Sequence, residues 1–172
     1  LGLGRIGSEV ARIGKAFGME VIAWSQNLTA ERAADAGARL VTKEALFAEA
    51  DVLTVHLILS KRTKGIVGAA ELAMMKPGAW LVNTSRSQLV DQPALIERLR
   101  AGQLAGAGID VFDVEPLPAD HPYRQLPNVL ATPHIGYVAE NLYRTFYGDT
   151  VKNIKAWLAG KDAAEAVHGS GV

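Results

Sequence analysis

The chain opens on Leu1-Gly2-Leu3-Gly4-Arg5-Ile6-Gly7, a G-x-G-x-x-G spacing, and no other stretch restricts its fold as strongly. Each glycine answers a separate steric demand. Gly2 allows a strand to turn sharply into a helix, Gly4 lets backbone amides approach a pyrophosphate, and Gly7 lets the helix lie close on the sheet. The helix N-terminus then faces the anion. The spacing alone is a weak signal, because glycines recur by chance. Its meaning depends on whether strands and helices alternate downstream. The chain also begins inside the motif, so most of the strand that would lead into it is expected to be missing.

The alternation is present. Ile6, Val10, Ile13 and Phe17 recur at helical spacing, and Gly18 ends that run. Glu20–Trp24 reads as a short buried strand. Thr29 caps a helix through Ala36, Arg39–Val41 is a brief strand, and Thr42 caps a helix through Ala50. Val52–Leu57 is a strong strand, Ala70–Met75 a short helix after a Lys- and Arg-rich loop, and Trp80–Asn83 a strand after the Pro77-Gly78 turn. Asp91 caps a helix carrying Pro93 and ended by Gly102. Ala107–Val111 and Val129–Ala131 are the last strands, and Ala139–Leu158 is the longest helix. Strands alternating with helices imply βαβ units: an α/β fold with a doubly wound parallel sheet of Rossmann type and helices on both faces. Residues 1–160 are expected to form the dinucleotide-binding domain. The Ala- and Gly-rich tail 161–172 is expected to be poorly ordered.

In such sheets ligands sit beyond the carboxyl ends of the strands. Ser25 lies 18 residues past Gly7 (25 − 7), where an acidic residue would bind the adenosine ribose of NAD. A serine can bond a ribose hydroxyl or a 2′-phosphate, so NAD and NADP both stay open; an ordinary solvated turn is the plain alternative. His56, after an apolar strand, reads as structural rather than catalytic. Leu57 and Thr63 lie on the cofactor side of the next loop. Thr84, Ser85 and Arg86 follow the strand ending in Asn83. Arginine offers a planar fork matching a carboxylate, although a lone surface arginine is more often an ion-pair partner. Asp110, at the end of an apolar strand, is costly unless paired. Glu115 is a candidate partner for a histidine, and His134 follows Val129–Ala131 with a side chain suited to proton transfer near neutral pH. Each has a bland explanation alone; an Arg, a Glu and a His after successive strands of one sheet is the improbable combination.

Composition limits the alternatives. The 172 residues suit one ordinary domain, 49% hydrophobic and 21% charged. Lys+Arg and Asp+Glu number 18 each, which argues against a sequence-independent grip on nucleic acid or on a membrane surface. There is no cysteine, hence no thiolate metal site or thiol nucleophile, and no metal is expected. No apolar run approaches a membrane span. The default localisation is cytoplasmic.

Gly-Leu-Gly-Arg-Ile-Gly at 2–7, Val-Asn-Thr-Ser-Arg at 82–86, Gly-Ile-Asp-Val-Phe-x-x-Glu-Pro at 108–116 and Thr-Pro-His-Ile-Gly at 132–136 together resemble the D-isomer-specific 2-hydroxyacid dehydrogenases. The likeness extends over residues 1–160. It implies NAD(P)-dependent hydride transfer on a small 2-keto or 2-hydroxy acid, in an enzyme that is a homodimer when full length. It also implies a separate substrate domain, absent here. Arg86 would bind the substrate carboxylate, His134 would be the general acid/base, and Glu115 would bond His134 and raise its pKa. Asp110 would contact the nicotinamide carboxamide. Arg5 and Ile6 would meet the pyrophosphate through backbone amides, and Thr84 to Arg86 with His134 to Gly136 would line the nicotinamide side. Three residues depart from the family pattern: Ile58 for Pro, Ser87 for Gly, and Ser25 for Asp. The segment 59–63 resembles members acting on glyoxylate or hydroxypyruvate. The competing function is a non-enzymatic, dinucleotide-sensing corepressor-like module on the same fold. Glu115 argues against the formate dehydrogenases, which carry Gln there. The chain reads as a fragment, and as given it is expected to be poorly stable and to show little turnover.

Overall fold

The computed structural model describes residues 1–160, so the expectation about the tail lies outside the described residues. The chain divides into two compact units, Leu1–His134 and a second from Ile135 onward.

The first unit alternates helix and strand: α1 (Arg5–Ala16), β1 (Ile22–Ala23), α2 (Ala30–Asp35), β2 (Arg39–Leu40), α3 (Lys43–Glu49), β3 (Val52–Val55), α4 (Ala69–Met74), β4 (Trp80–Asn83), α5 (Gln92–Arg100), β5 (Gly106–Ile109) and β6 (Val129–Ala131). The caps read from the sequence are made. Thr29 Oγ1 accepts from the Arg32 N–H, Thr42 Oγ1 from Ala45 and Asp91 Oδ1 from Ala94, each satisfying an otherwise orphaned amide of a first helical turn. Two short 3-10 turns, Ser87–Leu89 and Pro122–Arg124, have no counterpart in the sequence reading. They lack the apolar period that marks longer elements.

All strand pairs are parallel. β3-β4-β5-β6 form one four-stranded sheet and β1-β2 a two-stranded one. Between the two lies the place expected for the strand leading into the glycine turn. Leu1 and Gly2 occupy it and bond to both sides: the Leu1 amino group to the Thr54 carbonyl at 2.9 Å, the His56 N–H to the Leu1 carbonyl at 2.8 Å, and the Gly2 N–H to the Trp24 carbonyl at 2.9 Å. These bonds give the order β2-β1-(Leu1-Gly2)-β3-β4-β5-β6, with the glycine turn at the centre. That is the switch point at which doubly wound sheets bind ligand.

The core lies on one face of β3–β6. Leu53, Val55, Leu81, Ala107 and Ile109 point into it and meet Leu46 and Phe47 of α3, Leu72 of α4, and Leu95 and Leu99 of α5, all buried. Each large apolar side chain fully buried there contributes about 1.5–3 kcal/mol. An ion pair from Lys43 to Glu71, 2.6 Å long, ties α3 to α4. On the opposite face Val52, Trp80 and Leu130 are exposed. The Trp80 ring lies across β5, and a Cβ at Gly106 would stand 2.3 Å from it, so only glycine fits there.

The Ile6–Val10–Ile13–Phe17 period correctly marks α1, but Ile6, Ile13 and Phe17 are exposed, and the buried positions are Gly7 and Ala11. Small residues form the inward stripe because α1 packs close behind the glycine turn. The second unit contains α6 (Glu140–Leu158), a 19-residue helix with no buried residue. Its i,i+4 pair Glu140–Arg144 and stacked Tyr143–Tyr147 rings support it locally.

Candidate active site: a backbone cradle and a histidine–carboxylate pair

The glycine turn is shaped by close approach. Gly2 has φ +91°, and a Cβ there would stand 2.8 Å from the His56 carbonyl and 3.0 Å from the Leu57 side chain. At Gly7 a Cβ would stand 2.2 Å from the Gly2 oxygen. Gly4 is the reverse case: it is the N-cap of α1, its own Cβ position is open, and no side chain caps the helix. No acidic residue lies in the first turn of α1. The amides of Arg5, Ile6 and Gly7 therefore begin a 12-residue helix with no side-chain cap and no carboxylate in its first turn. A pyrophosphate suits such a site through both the orphaned N–H groups and the helix dipole. By this test the residues fit a dinucleotide.

Past β4, the chain turns around buried Asn83. Its Oδ1 accepts from the Ser85 N–H at 3.0 Å, and its Nδ2 donates to the Arg86 carbonyl at 2.9 Å. Ser85 Oγ donates to the Val55 carbonyl, joining this loop to β3. Thr84 and Arg86 are exposed. Arg86 Nη1 donates to the Ser85 carbonyl at 2.6 Å, so the guanidinium folds back on its own loop. Ser87, one of the three departures from the family pattern, is buried at the start of the 3-10 turn.

Past β5 and β6 the structure brings four side chains into two pairs. Thr132 Oγ1 donates to Asp110 Oδ1 at 2.5 Å, which answers the expected cost of burying that acid. His134 Nδ1 lies 2.8 Å from Glu115 Oε2, while Glu115 Oε1 accepts the Phe112 N–H at 2.9 Å. Both carboxylate oxygens are thus engaged. The bond to His134, followed by that from Phe112, holds the Glu115 carboxyl below its usual value of 4.5. An ionised carboxylate only accepts, so Nδ1 is the donor in this bond. His134 itself has φ 54°, the left-handed region that a non-glycine residue enters at a cost of about 1–3 kcal/mol when other interactions impose it. Its N–H donates to the Thr132 carbonyl at 2.9 Å.

The remaining candidates fall as follows. Ser25 is half-buried just past β1, next to the Trp24 carbonyl that holds Gly2. Leu57 touches the glycine turn. Thr63 closes its own loop, donating to the Ile58 carbonyl and accepting from Ser60. Ile58 is 87% exposed. Gly136 lies in the second unit. His56 is half-buried with Nε2 2.9 Å from Thr54 Oγ1; burial lowers its pKa below 6.5. Sequence reasoning missed Thr132 as a site residue, although the need of Asp110 for a partner was the available signal. It also missed Asn83 as organiser of the Arg86 loop, for which an asparagine ending an apolar strand was the hint.

A glycine cradle at the switch point of a parallel sheet, with a histidine–carboxylate pair on the same strand ends, is the arrangement of a dinucleotide-binding domain. The chain belongs to the D-isomer specific 2-hydroxyacid dehydrogenases: residues 1–136 match the model of that family's NAD binding domain. It is 41% identical over 161 residues to glyoxylate reductase from Aeropyrum pernix, covering 94% of this chain and 48% of the relative. A crystal structure of an oxidoreductase from Ralstonia solanacearum, described as a D-3-phosphoglycerate dehydrogenase, superposes with TM-score 0.88 at 41% identity, over 94% of this chain and 47% of that one. D-lactate dehydrogenase from Aquifex aeolicus, complexed with NAD and lactic acid, superposes with TM-score 0.82 at 31% identity, over 98% and 54%. The chain spans about half the length of the glyoxylate reductase it matches. Among the described residues no helix is long and apolar enough to cross a membrane.

Proposed function

We propose that this chain is the cofactor-binding part of an enzyme that moves a hydride between NAD(P)H and a small 2-keto or 2-hydroxy acid, with residues 1–160 as its cofactor domain. The observation that carries the reading is the Glu115–His134 pair, 2.8 Å long, on the strand ends of the sheet that bears the glycine turn. The amides of Arg5, Ile6 and Gly7 would hold the pyrophosphate. Ser25 and Leu57 would meet the adenosine side, and Thr63, Thr84, Ser85 and Asp110 the nicotinamide side.

A nicotinamide dinucleotide held by the Arg5, Ile6 and Gly7 amides would supply or accept the hydride. In keto acid reduction, the Arg86 fork binds the substrate carboxylate and fixes which face of the carbonyl is presented. His134 Nε2 gives its proton to the carbonyl oxygen as negative charge develops there; hydride plus proton makes the hydroxy acid. In the reverse direction the same nitrogen takes the hydroxyl proton. Glu115 holds the ring in one orientation, as a carboxylate does beside histidine in hydrolytic triads. The Asp110–Thr132 bond steadies the neighbouring strand ends. The family resemblance supports a cytoplasmic homodimer, which light scattering on the intact protein checks as twice the subunit mass.

The test is a panel of 2-keto acids given to the intact protein with NADH or NADPH, read as loss of reduced-nicotinamide absorbance. Turnover of at least one small 2-keto acid is expected. Tight dinucleotide binding with no turnover across the panel would favour the corepressor-like alternative.

A further inference from the structure

We infer that Thr132 is a positioning residue for hydride transfer: its hydroxyl fixes the Asp110 carboxyl so that the nicotinamide carboxamide is seated in register with His134. The inference rests on the dinucleotide reading above and deepens it.

Asp110 follows β5 in an otherwise apolar run. Ala107, Ile109, Val111 and Phe112 around it are buried, and Asp110 itself is 4% exposed. An acid in such a place costs stability, and replacing it together with its partner by apolar groups is close to neutral, so stability alone gives no reason for the pair. Its position does. The Asp110 N–H donates to the Asn83 carbonyl at 3.0 Å, which sets the acid at the carboxyl end of the sheet, beside the loop that carries Arg86. A carboxylate there can accept from the amide of a nicotinamide, and with about four acceptor sites it is not exhausted by one hydroxyl.

Thr132 is bonded at three points. Its N–H donates to the Ile109 carbonyl at 2.9 Å, its Oγ1 donates to Asp110 Oδ1 at 2.5 Å, and its carbonyl accepts the His134 N–H at 2.9 Å. The residue before a proline is biased to extended backbone, and a β-branched side chain has few rotamers. Thr132, which precedes Pro133, therefore has little freedom to turn its hydroxyl away. One residue thus joins the cofactor-side acid past β5 to the turn that sets His134 at φ 54°. Loss of the hydroxyl removes a bond that orients the Asp110 carboxyl, and the nicotinamide ring then loses its fixed relation to His134. The pyrophosphate contacts at the glycine turn are made by backbone on another strand end and stay as they were.

The experiment is calorimetric titration of the intact protein with NAD⁺ and with ADP-ribose, which lacks the nicotinamide, alongside steady-state keto acid reduction. Thr132→Val keeps the shape and removes the hydroxyl. NAD⁺ should then bind about tenfold more weakly and kcat should fall by a similar factor, the size of a bond to a charged group, while ADP-ribose stays within about twofold. Thr132→Ser keeps the donor and should bring both quantities to within about threefold of the unaltered protein. In an Asp110→Ala background, which also leaves no buried acid without its partner, Thr132→Val should change NAD⁺ binding by less than about twofold. Unchanged NAD⁺ affinity in Thr132→Val, an equal loss for ADP-ribose, or a further loss of about tenfold in the Asp110→Ala background overturns the inference. Binding of neither NAD⁺ nor ADP-ribose by the unaltered protein overturns the cofactor reading beneath it, which is a distinguishable result.

Discussion

The two halves of the candidate site are built from different materials. The glycine turn is made of backbone: Gly2 and Gly7 are packed against carbonyls, and it leads into the uncapped amides at the start of α1. The histidine–carboxylate half is made of side chains: Glu115 and His134 are 19 residues apart and meet only because β5 and β6 are neighbours. The backbone site depends on what is absent, namely Cβ atoms and acids. The side-chain site depends on two atoms at one distance. Substitutions should therefore damage them in different ways, the first through shape and the second through chemistry.

The sharpest break in that comparison is within the glycines. In Gly7→Ala the new methyl would stand 2.2 Å from the Gly2 oxygen, so the turn must open. Dinucleotide binding should be lost and stability should drop by about 2 kcal/mol or more, from backbone strain of the kind that costs 1–3 kcal/mol per residue. Gly4→Ala meets nothing within 4 Å and has an extended backbone, so its melting temperature should stay near wild type while cofactor binding weakens. Equal losses of stability in the two variants would remove the steric account.

Glu115→Gln keeps the shape of the other half and removes its charge. A fall in kcat of about 10- to 100-fold is expected, matching the roughly 1.5–3 kcal/mol of a hydrogen bond to a charged group. The cofactor dissociation constant should hardly move. Arg86→Lys replaces a fork by a point charge, and should raise KM for the keto acid by about tenfold with a smaller change in kcat. An unchanged KM would take the substrate carboxylate away from Arg86.

The smallest effect concerns the scaffold. Burial pushes the Glu71 carboxyl up, but the bonds from Lys43 and from the Glu71 and Gly68 amides outweigh it and leave the group below 4.5. A group depressed in the folded state adds stability that is present above its unfolded value and lost as pH falls through its folded one. Unfolding by denaturant should therefore show a loss of stability below about pH 4.5 that Glu71→Gln reduces, with the neutral-pH stability changed by about 1 kcal/mol.

How much of this was legible in the sequence follows the same division. The backbone half is local: glycine spacing, caps at Thr29, Thr42 and Asp91, and the strands Trp80–Asn83 and Val129–Ala131 can be read from short windows, because turn and cap chemistry acts within a few residues. Strand ends were less legible. Glu20–Trp24 shortens to Ile22–Ala23 and Val52–Leu57 to Val52–Val55, since pairing stops where the partner strand stops and a single sequence does not carry that. The facing of α1 was hidden for a related reason. A helix backed by a tight turn buries its small residues, so the apolar period pointed to the exposed side. In the side-chain half, the residue types were visible but the pairings were not. Nothing local joins Thr132 to Asp110, or Asn83 to the loop of Arg86.

We propose that the histidine–carboxylate pair transfers the proton while the glycine turn holds the cofactor, and His134→Gln in the intact protein separates the two. Steady-state keto acid reduction should lose about 10²–10⁴-fold in kcat, with dinucleotide affinity by titration left within about twofold, because His134 exchanges a proton and the turn binds through backbone. A loss in kcat below about tenfold would contradict the claim.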